Sequence, residues 1–301
     1  MATAAAHRPS VQARLDDRSS LLENAEFAHG DGYRLLQGNC LELLNAYAPG
    51  TFDMVFADPP YFLSNGGFTC KAGRRAPVAK GRWDESRGLE EDHAFTKEWL
   101  AACQRVLKPT GSLWVSGTQH VIFSVGFAMQ QLGMKLLNTV TWYKPNASPN
   151  LSCRYFTHST EILLWASPVK APKLQHIFNY PKMKAENGGK QMRDVWNLPK
   201  GGEEELSADG EGRVWTMTTP RSAEKEHGKH PTQKPISLLR RVIEASTPEG
   251  ALVLDPFNGS GTTGVAALKL GRQYVGMDLD ERYLELTRNR LDAAAAEDGA
   301  A

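Results

Sequence analysis

At 301 residues the chain is long enough for one large α/β domain with an inserted lobe, and it can bury a sizeable core. Its 35 Lys and Arg nearly balance 34 Asp and Glu, for a formal charge of +1. This excludes a wholesale polycation, so any nucleic-acid surface must come from basic residues clustered on one face.

In chain order, the opening MATAAAHRPSVQARLDDRSS is small, polar and charged, and residues 1–30 are expected to be mobile. Met1 to Ala6 lacks a signal-peptide hydrophobic region, and no apolar run approaches the ~20 residues of a membrane span. A soluble cytoplasmic protein with no membrane partner is expected. Short β-branched runs then alternate with helix-like segments, the signature of a doubly wound α/β sheet. Strands are predicted over Thr51–Ala57, Ser112–Ser116, Leu136–Tyr143, Glu161–Ala166, Ala251–Asp255 and Gln273–Asp278. Helices are predicted over Glu91–Leu107, closed by Lys108-Pro109, and after Gly261 and Asp280.

Two stretches break this alternation. Phe62–Trp83 carries Lys71, Arg74, Arg75, Lys80 and Arg82 without an acidic residue, and contains Gly66-Gly67 and Gly73. It reads as a mobile basic loop able to meet DNA phosphates. Pro168–Lys229 is rich in Lys, Glu, Gly and Pro, with isolated aromatics such as Trp196 and Trp215, and reads as an inserted lobe. The organisation expected is therefore 31–167, the insert 168–229, then 230–292 completing the first part, with 293–301 a mobile tail. The four cysteines, Cys40, Cys70, Cys103 and Cys153, are too widely spaced for a CxxC pair or a zinc knuckle and read as structural thiols.

Asp58-Pro59-Pro60-Tyr61 follows an apolar strand, at the carboxyl end where open α/β sheets place their ligand crevices. Two prolines restrict the backbone and donate no N–H, so the Asp58 carboxylate and the Pro59 carbonyl stand as rigid acceptors. An exocyclic NH2 offers the two matching donors. Gripping both hydrogens favours a pyramidal nitrogen with an available lone pair, which can take a methyl group directly. Tyr61 would stack on a base that has left the duplex.

A second turn, Asp255-Pro256-Phe257-Asn258-Gly259-Ser260-Gly261-Thr262-Thr263, follows the strand Ala251–Leu254 and opens a helix. Its glycines permit close approach of a ligand. A dinucleotide-binding protein can use similar geometry. The full GxGxxG spacing is absent, however, and an aspartate at the start repels phosphates while suiting a cationic methyl donor. Asp278, ending the next strand, is placed to accept from both hydroxyls of a ribose. Thr232 and Lys234, in His230-Pro231-Thr232-Gln233-Lys234-Pro235, can hold a carboxylate by hydrogen bond and charge.

DPPY, then HPTQKP, then DPFNGSGTT, in that order, closely resemble the β-group amino-methyltransferases of bacterial restriction and modification systems, including GATC-type adenine enzymes. The resemblance covers most of Leu35–Leu291, including Lys108-Pro109-Thr110-Gly111-Ser112-Leu113-Trp114-Val115 and Asn150–Trp165. It implies a Rossmann-like, circularly permuted, seven-stranded methyltransferase sheet with a target-recognition region inserted at 168–229. It implies S-adenosyl-L-methionine as cofactor, held by Asn39, Asp58, Thr232, Lys234, Asp255, Phe257, Gly259, Ser260, Gly261, Thr262 and Asp278. Asp58, Pro59, Pro60 and Tyr61 are the implied catalytic residues. Gln37-Gly38-Asn39 resembles the loop near the cofactor's adenine, with Asn39 where the family often has an acidic residue. Arg154, His158 and Glu161 match a segment near the target-base pocket. Such enzymes often form homodimers, suited to palindromic sites, and work beside a partner restriction enzyme.

An aspartate heading DPPY favours adenine N6, whereas SPPY is more often the cytosine N4 form. Methylation of cytosine C5 needs a cysteine nucleophile, and none occupies or closely follows DPPY. A non-catalytic DNA-binding regulator on the same fold is the reading from another class, against which the intact motifs argue. An RNA or small-molecule methyltransferase would share the cofactor site, but the basic loop and motif order disfavour it. No metal ion is required by these chemistries.

Overall fold

The computed structural model describes residues 20–64, 68–71, 74–77, 84–144, 147, 149–169, 173, 175–196 and 232–299. The chain runs α1 (Ser20–Asn24), β1 (Glu26–Gly30), β2 (Tyr33–Gln37), α2 (Cys40–Ala46), β3 (Phe52–Ala57), β4 (Phe68–Lys71), β5 (Arg74–Pro77), α3 (Leu89–Val106) and β6 (Leu107–Gly117). It continues through α4 (Ile122–Gln131), β7 (Lys135–Tyr143), β8 (Thr160–Ser167), α5 (Tyr180–Glu186), β9 (Val195–Trp196), α6 (Ile236–Ser246), β10 (Leu252–Asp255), α7 (Thr262–Lys269), β11 (Gln273–Asp278) and α8 (Glu281–Gly299).

One sheet has the order β1-β2-β11-β10-β3-β6-β8-β7-β9. From β2 to β6 every pairing is parallel, and β8 lies antiparallel between β6 and β7. The expected permuted sheet is present in β2 through β7, with the C-terminal β10 and β11 lodged between the N-terminal β2 and β3. Two further strands extend it: β1 turns back on β2, and β9 adds to β7.

Each buried strand feeds two helical layers, because successive side chains point to opposite faces. In β3, Val55 and Ala57 join a core with Leu43, Trp99, Cys103 and Val125, whereas Met54 and Phe56 face Leu239, Val242, Val265 and Leu291. Helices α2, α3 and α4 therefore cover one face, and α6, α7 and α8 the other. Full burial of one such side chain contributes about 1.5–3 kcal/mol, so both layers are needed to hold the central strands.

Several expectations are corrected. Residues 20–30 are not a mobile lead: α1 and β1 form, Leu22 is fully buried, and the Arg34 guanidinium donates to Leu22 O at 3.1 Å while pairing with Glu26 at 2.6 Å. Residues 1–19 lie outside the described residues. At the other end α8 continues to Gly299, with Ala294 buried in the core, so the expected tail at 293 is largely helix. The basic stretch is not a plain loop, because β4 and β5 pair as an antiparallel ribbon. Lys71, Arg74 and Arg75 are on that ribbon, whereas Lys80 and Arg82 lie outside the described residues. Helix α3 stops at Val106, and β6 already begins at Leu107, running through Lys108-Pro109.

The insert is also anchored more firmly than its composition indicates. Asn179 Nδ2 donates to Glu244 O at 2.5 Å and Thr247 O at 2.9 Å, and Lys182 pairs with Glu244 at 2.8 Å. Trp196 is buried beside Trp114, under the Arg241 guanidinium 5.3 Å from its ring. Trp114 in turn stacks on Trp165 at 4.9 Å, 7° from parallel. Residues 197–229, including Trp215, lie outside the described residues. Among the described residues no helix is long and apolar enough to cross a membrane.

Candidate active site

Because β3, β10 and β11 are parallel neighbours, their carboxyl ends open on the same edge of the sheet. Asp58 follows β3, Asp255 ends β10 and Asp278 ends β11. A cavity of about 500 Å³ lies over this edge, bordered by Asp58, Tyr61, Lys234, Asp255, Phe257 and Asp278. Asn39, Pro59, Pro60, Thr232, Gly259, Ser260 and Thr262 border it too. Gly261 is not a lining residue; it shapes the turn.

Asp58 sits at the centre of a dense polar cluster. Its Oδ1 accepts from Tyr61 OH at 2.7 Å and from Ser116 Oγ at 2.5 Å, and its Oδ2 accepts from Lys234 Nζ at 2.6 Å. Lys234 also lies 3.6 Å from Glu161, whose other oxygen takes Lys144 Nζ at 2.6 Å. Burial alone would push the Lys234 ammonium down, but Asp58, Tyr61 and Glu161 outweigh it and hold its pKa well above the ordinary lysine value. For Glu161 burial works upward, and Lys234 with Lys144 overcome it to keep the carboxyl below its usual range. Burial and the Asp58 charge push the Tyr61 phenol well up, so it stays neutral.

Two placements differ from the sequence expectation. Tyr61, read as an open stacking platform, is only 6 % exposed, with Lys234 Nζ 5.5 Å from its ring centre. Lys234, read as the holder of a cofactor carboxylate, lies on Asp58 here. Lys234 and Asp58 border the same cavity.

The DPPY turn is held by a residue the sequence reading missed. Asp84 is fully buried, and its carboxylate accepts from Tyr61 N at 2.8 Å, Leu63 N at 3.2 Å and Ser64 Oγ at 2.9 Å. This staple closes on Phe62, a non-glycine residue at φ 56°, a backbone setting that persists only where surrounding contacts enforce it. The signal was available: Asp84 is the first acidic residue after a long basic run. Ser116 was also missed, as the penultimate residue of a strand with no motif of its own.

The glycine turn is built for close packing. Gly261 caps α7 at φ 68°, and a Cβ there would meet Thr287 Cγ2 at 2.3 Å. Asn258 Nδ2 donates to Thr287 Oγ1 at 2.8 Å, and Tyr274 OH donates to Asn258 Oδ1 at 2.8 Å. Arg290 donates to Ser260 O and, at 3.1 Å, to Thr262 Oγ1. Asp255 accepts from Phe257 N at 3.0 Å and from Thr263 Oγ1 at 2.6 Å. Burial nevertheless pushes its carboxyl up to about 7, those hydrogen bonds pulling back and the charges of Asp58 and Asp278 adding to the rise. Asp278 accepts from Gly259 N at 2.8 Å and Asp280 N at 2.9 Å. Burial still carries it to about 6.

Two carboxylates that resist ionising, Asp255 buried and Asp278 partly buried, form a natural seat for a cation. Asn39 borders the cavity, and its side chain accepts from Leu41 N at 2.9 Å and caps α2. Cys40 borders the cavity, but burial pushes its thiol up to about 12, which leaves it no nucleophile at neutral pH. Arg154 and His158 lie on the loop before β8 and make no hydrogen bond to Asp58, whereas Glu161 reaches the cluster through Lys234.

The chain is similar along most of its length to known proteins. Residues 52–289 match the N6/N4 family described as DNA methylase. Type II methyltransferase M2.DpnII of Streptococcus pneumoniae is 48 % identical over 259 residues, covering 86 % of this chain and 89 % of the relative. Among solved structures, the M1.HpyAVI–SAM complex superposes with a TM-score of 0.57 at 22 % identity, over 86 % of this chain and 99 % of that one. The cytosine-N4-specific PvuII DNA methyltransferase gives 0.62 at 19 % identity, over 86 % of each chain. At those identities the two structures establish a common fold, which agrees with the sheet order described above. The family match over more than half of the chain, with a close relative of nearly equal length, shows that this protein belongs to the N6/N4 DNA methylase family.

Proposed function

We propose that the protein transfers a methyl group from S-adenosyl-L-methionine to N6 of an adenine flipped out of DNA. The observation that carries this reading is the convergence of Asp58, behind a rigid Pro-Pro turn, with Asp255 and Asp278 on one cavity. The donor set fits the cofactor: buried carboxylates suit a sulfonium cation, Asp278 can take ribose hydroxyls, and Gly259 in the turn lets the ligand approach the backbone. Thr232 and Lys234 border the same space and would hold the amino-acid carboxylate, with Asn39, Phe257, Ser260 and Thr262 completing the walls. When bound, the cofactor supplies an electrophilic methyl group.

The protein's own residues do the rest. Asp58 and the Pro59 carbonyl accept the two amine hydrogens and turn the nitrogen lone pair outward, while Pro60 limits backbone give. Ser116 and Tyr61 fix the orientation of the Asp58 carboxylate. Lys234, now on Asp58 Oδ2, would turn to the cofactor's carboxylate and so would leave Oδ2 to the amine. A base in duplex DNA cannot enter such an enclosed site without flipping.

Lys71, Arg74 and Arg75 on the ribbon, with Lys80 and Arg82 beyond it, would neutralise DNA phosphates. We further infer a cytoplasmic enzyme acting on duplex DNA as a homodimer beside a restriction nuclease, in keeping with the Type II name of M2.DpnII; light scattering of the purified protein tests the dimer. The deciding experiment combines labelled S-adenosyl-L-methionine, unmethylated genomic DNA and mass analysis of the digested nucleosides. N6-methyladenine is expected. 4-Methylcytosine alone would overturn the base assignment, and absence of any methylated nucleoside would overturn the activity.

A further inference from the structure

Between β7 and β8 the chain makes a compact knuckle over residues 149–159, closed at its base by Lys144 N donating to Ser159 O at 2.7 Å. Asn150 organises it: Oδ1 accepts from Ser152 N at 3.0 Å and Ser152 Oγ at 2.7 Å, while Nδ2 donates to Tyr155 O at 2.6 Å. Cys153 takes a left-handed backbone at φ 53°, which turns the chain sharply. The Tyr155 ring lies 5.4 Å from that of His158, which accepts from Gln119 Nε2 at 3.2 Å. The tip then presents Phe156, 95 % exposed, next to Arg154.

A turn this well ordered does not leave a phenyl ring in water for want of packing choices. Its position on the sheet is informative. Gly117, one residue past the Ser116 that binds Asp58, pairs with Ile162 of β8, so the knuckle rises from the same edge as the active site. From β3 across β6 to β8 is two interstrand spacings, about 10 Å.

A flat apolar ring two residues from an arginine, on a loop that leads into β8 at the active-site edge of the sheet, matches a nucleic-acid stack better than a protein partner. A stable protein interface needs about 800 Å² on each side, whereas an aromatic ring covers about 150–250 Å².

We propose that Phe156 inserts into the base stack next to the target and occupies the gap left by the flipped adenine, with Arg154 on the adjoining phosphate. The ring has no donor or acceptor, so it reads no sequence; it replaces lost stacking and keeps the base from returning. This rests on the methyltransferase reading above, and the test separates the two.

Methyl transfer to native and to heat-denatured genomic DNA is measured for the unaltered protein, Phe156→Ala and Phe156→Trp. Because unstacking a base step costs energy only in a duplex, Phe156→Ala should lower kcat/KM on native DNA by about tenfold or more. On denatured DNA, which has no duplex to open, its effect should stay within about twofold. Phe156→Trp should restore most of the native-DNA rate. Equal losses on both DNA forms, no loss on native DNA, or an unaltered protein active on denatured DNA alone would each overturn the wedge and leave the methyltransferase reading standing. An unaltered protein inactive on both forms would overturn the methyltransferase reading and the wedge with it.

Discussion

Asp58 carries three hydrogen bonds inside the chain before any substrate arrives, and this has consequences for its substitution. Asp58→Asn keeps the shape and the Ser116 and Tyr61 neighbours but removes the charge. It should cut methyl transfer by about 100-fold or more; an undiminished rate would remove Asp58 from the chemistry. Asp255 and Asp278 predict a pH dependence. Burial raises both carboxyls, to about 7 and about 6, above the roughly 3.9 of an unfolded aspartate. The folded protein therefore holds protons that the unfolded chain has released. This contribution to stability is full below about pH 4 and is lost as pH rises through the folded values. A bound sulfonium favours the ionised carboxylates, so its affinity should move the other way. From pH 5.5 to 8, affinity for S-adenosyl-L-methionine should rise about tenfold, and that for uncharged-sulfur S-adenosylhomocysteine clearly less. Parallel pH profiles for the two ligands would remove the cation seat.

At the scale of elements, the glycine turn and the basic ribbon are separable parts. Gly261→Ala would place a methyl group 2.3 Å from the buried Thr287, at a φ of 68°. Left-handed backbone and overpacking together cost about 2–4 kcal/mol, which should lower Tm by roughly 5–10 °C in a calorimetric scan. A thermally neutral variant would mean that α8 moves aside. The ribbon is tested by charge: Arg74→Glu with Arg75→Glu should weaken DNA binding and reduce the salt slope by about two. An unchanged slope would take both residues off the phosphates.

For the whole molecule, the catalytic strand β3 and the cofactor-side strands β10 and β11 share one hydrogen-bonded sheet. Neither half can shed its edge without exposing the other's core, since both helical layers pack on strands from both ends of the chain. The described part should therefore unfold in one cooperative step. Saturation with S-adenosyl-L-methionine at 100 times its Kd should move that step upward by the equivalent of about 2.7 kcal/mol. Two resolved transitions, only one of them shifted by ligand, would contradict the shared sheet.

Read alone, the sequence determined the chemistry at strand ends. DPPY, the glycine turn and Asp278 are legible because each needs only a local pattern: an apolar run, a sharp turn, a polar group where an α/β sheet opens. Six strands were visible for the same reason, their apolar runs being long enough to stand out. Contacts between residues far apart in the chain lie beyond any local pattern. Glu-Phe-Ala-His-Gly is too polar to announce β1, which forms because β2 offers it a free edge. Asp84 acts on a turn 23 residues earlier, and Lys234 meets Asp58 across 176 residues. A side chain's partner across such distances depends on strand order, and strand order is set by how two cores pack rather than by any local pattern. The same reason hid the knuckle: Phe156 is an ordinary aromatic in sequence, and only the fold of the segment leading into β8 leaves it 95 % exposed.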